Sequence, residues 1–144
     1  MRLSQNLILI PVFAQVVLTY VVLFWMGSKR VRSGKDRGQS AQDLALATDA
    51  DWSMEARQAA NNFRNQFELP VLFYTCCAFT LITRQADGTM FALAALFVVT
   101  RIAHAAEHLT TNVVMRRGTA YLIGAFLLLV MWVLLVWRVM AAGW

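Results

Sequence analysis

The stretch Arg57-Gln-Ala-Ala-Asn-Asn-Phe-Arg-Asn-Gln-Phe-Glu-Leu-Pro-Val-Leu-Phe73 starts polar and ends apolar. Arg57, Asn61, Arg64 and Glu68 stand four, three and four residues apart. On a helix that spacing puts them on one face, with Asn65 at its border. Beyond Glu68 no charged residue follows until Arg84. A helix that carries such a face into a long apolar run belongs at the edge of a membrane, where buried charge is costly and asks for a reason.

The rest of the chain agrees. Of its 144 residues, 59% are hydrophobic and 15% charged, against about 45–50% and about 25% in soluble domains. That excludes a disordered chain, and the length fits one domain over residues 1–144. A disulfide scaffold is excluded too. The two cysteines, Cys76 and Cys77, are adjacent in an apolar run and read as packing residues. The net charge of +5 comes from 13 Lys+Arg against 8 Asp+Glu. In an apolar chain this excess orients helices in a bilayer, and nucleic acid is not expected as a partner.

A membrane-crossing helix needs roughly 20 apolar residues. Four segments qualify, at about 6–26, 63–83, 89–109 and 119–140. The expected fold is therefore all-α, an integral membrane bundle of four transmembrane helices. The first span is too long for a signal-peptide core and lacks a small-residue cleavage site, so its removal is not expected. The link Arg84-Gln-Ala-Asp-Gly88 is short enough to force an antiparallel hairpin, and Asp87-Gly88 is a turn pair. The first connection, about 27–54, is long, basic at its start and acidic at its end, where Asp49 and Asp51 stand. Asp51 or Ser53 is expected to cap the next helix.

Lys29, Arg30, Arg32, Lys35, Arg37, Arg116 and Arg117 fall in the first and third loops, against Arg2, Arg84 and Arg138 on the other side. The positive-inside rule puts those two loops in the cytoplasm and both termini outside, in what reads as a bacterial inner membrane. Trp25 near one interface, and Trp132, Trp137 and Trp144 toward the other, suit aromatic belts.

The polar residues inside the spans gather in the second and third. Arg101, His104 and His108 share a face of the third, with Glu107 at its edge. Hairpin geometry sets Glu68 level with Ala105 and Asn65 level with His108. The two clusters should then form one pocket in the cytoplasmic third of the membrane. Its arginines suit carboxylates, its Glu an ammonium, and its Asn an amide. A bland alternative is that these residues pair only with one another.

The stretch 57–73 resembles the second-helix signature of the MAPEG family (membrane-associated proteins in eicosanoid and glutathione metabolism), and the chain is most similar to its bacterial members. Asn65 and Glu68 match the family's Asn and Glu, three apart, and Arg101 matches an arginine of its third helix. Pro70 follows Glu68 by two residues where the family usually has three. Asn61 stands where it has an arginine, and Arg57 or Arg64 would supply that charge. The resemblance implies a homotrimer in membrane lipid that binds glutathione as co-substrate near the cytoplasmic face. It implies transfer to, or peroxide reduction of, hydrophobic small molecules from the bilayer. Arg30, Arg57, Asn61, Arg64, Asn65, Glu68, Arg101, His104 and His108 would hold glutathione. Arg116 or Arg117 would polarise its thiol, as a cation lowers a thiol pKa.

Two further readings stand beside this one. The architecture could serve a non-catalytic trimer that binds a lipid or a protein partner. And His104-Ala-Ala-Glu107-His108 has the H-x-x-E-H pattern of a zinc hydrolase, with two His one turn apart and a Glu as base. No acid follows Glu107 to serve as a third ligand, so no metal is expected.

Overall fold

The computed structural model describes residues 5–48 and 51–142. Arg2, Asp49 and Trp144 lie outside the described residues. A 3-10 turn, Gln5–Ile8, precedes α1 (Leu9–Asp36). Then come α2 (Ala41–Ala45), α3 (Met54–Asn65), α4 (Leu69–Ile82), α5 (Gly88–Leu109) and α6 (Val114–Ala141), with no strand among the described residues. Three helical stretches are long and apolar enough to cross a membrane: Gln5–Asp36, Gly88–Leu109 and Val114–Ala141.

The second expected span differs from its expectation. It is divided between α3 and α4, and α4 alone has 14 residues, a rise of about 21 Å. The cause is Pro70, the second residue of α4. Its ring has no N–H to give and clashes with the carbonyl four residues back, at Gln66. The chain tightens there: Gln66 N donates to the Phe63 carbonyl at 3.0 Å, and Phe67 N to that of Arg64 at 2.9 Å.

The first span also differs, by running past residue 26 to Asp36 without a break. Its 28 residues rise about 42 Å, more than the ~30 Å hydrocarbon layer. The start of the expected loop is thus a rigid helical extension bearing Lys29, Arg30, Arg32 and Lys35. Lys and Arg are good helix formers, so leaving the apolar layer gives the helix no reason to stop. It stops at Gly38, where φ is +65°. The Gln39 and Gly38 amides donate back to the Gly34 and Lys35 carbonyls, closing the helix end. Ser53 caps α3, as one of the two expected residues: its hydroxyl accepts from Ala56 N at 3.3 Å.

Neighbouring helices run antiparallel. Lys29 meets Glu55 and Gln15 meets Gln66 across α1 and the end of α3. His108 meets Arg117 while Asp87 meets Arg138 across α5 and α6. The core lies between α4, α5 and α6. Phe73 stacks on Phe97 with ring centroids 4.6 Å apart, and Cys76 and Cys77 are buried there as free thiols. The outer faces are apolar instead of polar. Phe13, Val17, Tyr20 and Phe24 make an exposed stripe on α1, and Phe126, Leu129 and Val133 one on α6. That arrangement suits lipid.

Gly124 lets α5 and α6 approach closely. A Cβ there would sit 2.6 Å from the Thr100 hydroxyl. Gly124→Val is expected to destabilise the protein by about 1–3 kcal/mol through overpacking. Thermal unfolding in detergent reads this, and an unchanged midpoint would show that the contact yields freely.

At the far end of α5, Asp87 caps the helix through Met90 N at 2.9 Å and pairs with Arg138 at 2.9 Å. Partial burial pushes the Asp87 carboxyl up. The Arg138 bond and the backbone N–H groups outweigh it and hold the pKa below the ordinary 3.8. A depressed carboxyl stabilises the fold above its ordinary pKa and loses that contribution as pH falls through the lowered value. With the side chain 48% exposed, the effect is small, below about 1 kcal/mol. Asp87→Asn should keep the cap and remove this part of the acid sensitivity, read as a flatter plot of unfolding midpoint against pH below 4.

Candidate functional site

The pairing of α3 with α5 builds the site. Asn62 Nδ2 donates to the Ala105 carbonyl at 3.1 Å, and Arg101 Nη2 to the Asn65 carbonyl at 2.9 Å. Gln58 reaches the carbonyl of His108. Asn65 therefore meets His104 instead of the expected His108, and Asn62, not Glu68, stands beside Ala105. The register has moved by four to six residues, between one and two helical turns, because the break at 66–68 follows a different path from a continuous helix.

From Asn65 a line of hydrogen bonds crosses to α6. Asn65 Nδ2 lies 3.2 Å from His104 Nε2, and His104 Nδ1 lies 2.8 Å from the Arg117 carbonyl. Arg117 Nη1 lies 2.6 Å from His108 Nε2. A carbonyl only accepts and a guanidinium only donates. These partners assign both imidazoles as neutral, with the proton on Nδ1 and the lone pair on Nε2.

The line borders a hollow of about 420 Å³, lined by Asn61, Asn65, His104, His108, Arg117 and Tyr121 with Val114, Gly118 and Leu122. Ligand pockets commonly measure about 300–1,000 Å³. Tyr121 has three neighbours here. Its hydroxyl donates to Glu68 Oε2 at 3.2 Å, its ring lies 5.6 Å from that of His104, and the Arg101 guanidinium carbon stands 5.5 Å from its centre. Arg101 is 0% exposed, and its Nε and Nη1 have no hydrogen-bond partner.

Of the residues singled out from the sequence, Asn61, Asn65, His104, His108 and Arg117 line the hollow. Glu68 and Arg101 join it through Tyr121. Arg64 is exposed and donates to Asn61 at 3.3 Å. Three others do not line the hollow. Arg30 lies over the Trp52 ring at 5.1 Å, and Arg57 and Arg116 are exposed. Glu107 caps the following turn, accepting from Thr111 and Val113.

Tyr121 was missed by the sequence reading. Its signal was a lone hydroxyl in the cytoplasmic turns of the fourth span. A second missed group is Gln15, Asn62 and Gln66, all buried. Gln15 Nε2 donates to Gln66 Oε1 at 3.0 Å, and Gln66 Nε2 to Asn62 Oδ1 at 3.3 Å. It ties α1 to the break.

Among the described residues no three His, Cys, Asp or Glu side chains come together at metal-binding distances. Both His104 nitrogens are engaged, and a guanidinium occupies the His108 lone pair.

No curated protein and no solved structure matches the chain significantly. The sequence model of the MAPEG family matches residues 8–137, nearly its whole length. With that match, and with the second- and third-helix polar residues converging on one hollow, the chain belongs to the MAPEG family.

Proposed function

We propose that this protein is a glutathione-binding membrane enzyme, of transferase or peroxidase type, acting on hydrophobic electrophiles that arrive from the bilayer. The observation that carries the reading is the hollow where Arg117, His104, His108, Asn65 and Tyr121 converge. The donor set fits the ligand. Glutathione has two carboxylates, an ammonium and two amides. The site offers Arg117, the Glu68 carboxylate and the amides of Asn61 and Asn65, with the buried Arg101 guanidinium and its two unpartnered N–H groups behind Tyr121. Charge-assisted pairs of this kind are about twice as strong as neutral ones.

Glutathione supplies, when bound, a thiol that acts as nucleophile in its ionised form. The chain's part is electrostatic. Arg117 holds negative charge at the hollow, which raises the thiolate fraction. Tyr121 adds a hydroxyl on the same wall, and Val114 and Leu122 leave an apolar side for the second substrate. Arg116 is a weaker choice for the thiol-polarising role, since its side chain is exposed.

The wider layout is part of the proposal. One unit over residues 1–144 makes four passes, with α3 and α4 together forming the second. It assembles as a homotrimer in a bacterial inner membrane, with the first and third loops cytoplasmic and both termini outside. The apolar stripes of α1 and α6 support contact with lipid and with neighbouring protomers.

Calorimetry of glutathione against detergent-purified protein tests the reading. Saturable heat that is lost in Glu68→Gln is expected. No heat at millimolar glutathione would exclude a glutathione enzyme. Binding with no conjugation of any electrophile and no peroxide reduction would favour a non-catalytic member.

A further inference from the structure

We infer that His108 is a positioning residue for Arg117: its Nε2 lone pair takes one guanidinium N–H and leaves the remaining ones to an anion in the hollow. This rests on the proposed glutathione reading for its consequence, though the contact itself is seen without any ligand.

The two histidines of α5 hold residue 117 at two points. His104 Nδ1 donates to its backbone carbonyl at 2.8 Å. His108 Nε2 accepts from its side chain at 2.6 Å. The first bond fixes the start of α6 against α5, and the second fixes the guanidinium. Both histidines are buried. A guanidinium on a long flexible stem gains direction only from what holds it. Here the holder is an acceptor without charge, so the positive charge of Arg117 stays uncancelled. A carboxylate at position 108 would aim the side chain equally well and neutralise it.

The device works only while His108 is neutral. A proton on Nε2 would remove the lone pair and set an imidazolium 2.6 Å from a guanidinium. The charged and titratable groups that face His108 are Arg117 from α6, and His104 and Arg101 from its own helix. From α3 it meets the uncharged Gln58 and shares the hollow with Asn61. No acidic group facing it would compensate a second positive charge. As pH falls, protonation of His108 therefore releases Arg117, and thiolate stabilisation is lost.

Two substitutions separate positioning from bulk. His108→Leu removes the acceptor. His108→Gln offers an amide oxygen that accepts the same N–H and does not titrate. The ultraviolet absorbance of the glutathione thiolate, titrated in the complex, is the readout. In His108→Leu the thiol pKa of bound glutathione should rise by about one unit, roughly tenfold less thiolate, measured at saturating glutathione so that any change in affinity is set aside. Its kcat should fall about tenfold. His108→Gln should keep the wild-type thiol pKa and lose the acid limb of the pH profile. In the ligand-free protein, ring nitrogen-15 shifts should show His108 protonated on Nδ1 with a lone pair on Nε2, and Arg117→Leu should alter the Nε2 shift. A thiol pKa in His108→Leu equal to wild type would overturn the inference. So would an Nε2-protonated His108 in the ligand-free protein. Absence of glutathione binding in the wild type would overturn the functional reading and the thiolate consequence, while the nitrogen shifts still decide the contact.

Discussion

Replacing Arg117 with leucine is expected to lower turnover by about 10²- to 10³-fold while glutathione still binds. The magnitude is that of removing one donor aimed at developing or fixed negative charge in a site sheltered from water. The geometry gives the reason for the asymmetry between turnover and binding. Arg101, Glu68, Asn61 and Asn65 remain to hold the ligand's carboxylates, ammonium and amides. Arg117 is the cation that lines the hollow directly. Its loss also leaves His108 Nε2 without its donor, so part of the effect comes from a reorganised wall. Steady-state kinetics with a hydrophobic electrophile, beside calorimetry, separate the two quantities. The same change at the exposed Arg116 should cost less. An Arg117→Leu protein that turns over at the wild-type rate would assign thiol activation elsewhere.

Arg101→Met is expected to weaken glutathione binding by about 10- to 100-fold without lowering the unfolding midpoint. One charge-assisted hydrogen bond is worth about 1.5–3 kcal/mol, and each 1.4 kcal/mol is tenfold in affinity. The stability half follows from burial. Arg101 is 0% exposed, yet only Nη2 has a hydrogen-bonded partner, the Asn65 carbonyl at 2.9 Å. Nε and Nη1 have none. A buried cation with unfilled donors is costly, and an apolar residue of similar volume at such a position is often neutral or stabilising. On the proposed reading the wild-type side chain is kept for the ligand at the expense of the fold. Thermal unfolding with and without glutathione tests both halves. A midpoint well below wild type in the ligand-free variant would show that Arg101 is a structural strut.

The parts of the fold set by long apolar runs were legible. The short link before α5 and the end of α5 at Leu109 stand where spacing put them, but the chain turns at Thr83-Arg84, where Arg84 has a φ of +57°, while Asp87-Gly88 opens α5 instead. The boundaries of α1 and of the second pass were not. Hydropathy reports where a chain leaves the apolar layer, whereas helices end where caps and prolines end them. Arg32 and Lys35 continue a helix into water, and Pro70 divides one inside an apolar run. The site was partly legible for a related reason. Helical spacing gathered Asn61, Asn65, His104 and His108, which line one hollow, because it depends only on local geometry. The pairing across helices depends on the break, so Asn65 was matched to His108 one turn away from its partner. Arg57 came from helical spacing and Arg30 from the family resemblance; the one is exposed and the other lies over Trp52, so neither lines the hollow. Tyr121 was passed over because a single tyrosine in an apolar helix looks like packing.

On the proposed four-pass layout, the division of the second pass has a consequence for how the chain enters its membrane. A 14-residue helix is too short to cross a ~30 Å hydrocarbon layer by itself and is a poor stop for the insertion machinery. Five residues, 83–87, join it to α5. On that layout the two are expected to enter lipid as one hairpin, with α5 supplying the apolar length that α4 lacks. A nascent chain truncated between them would leave the membrane with only its first helix secured.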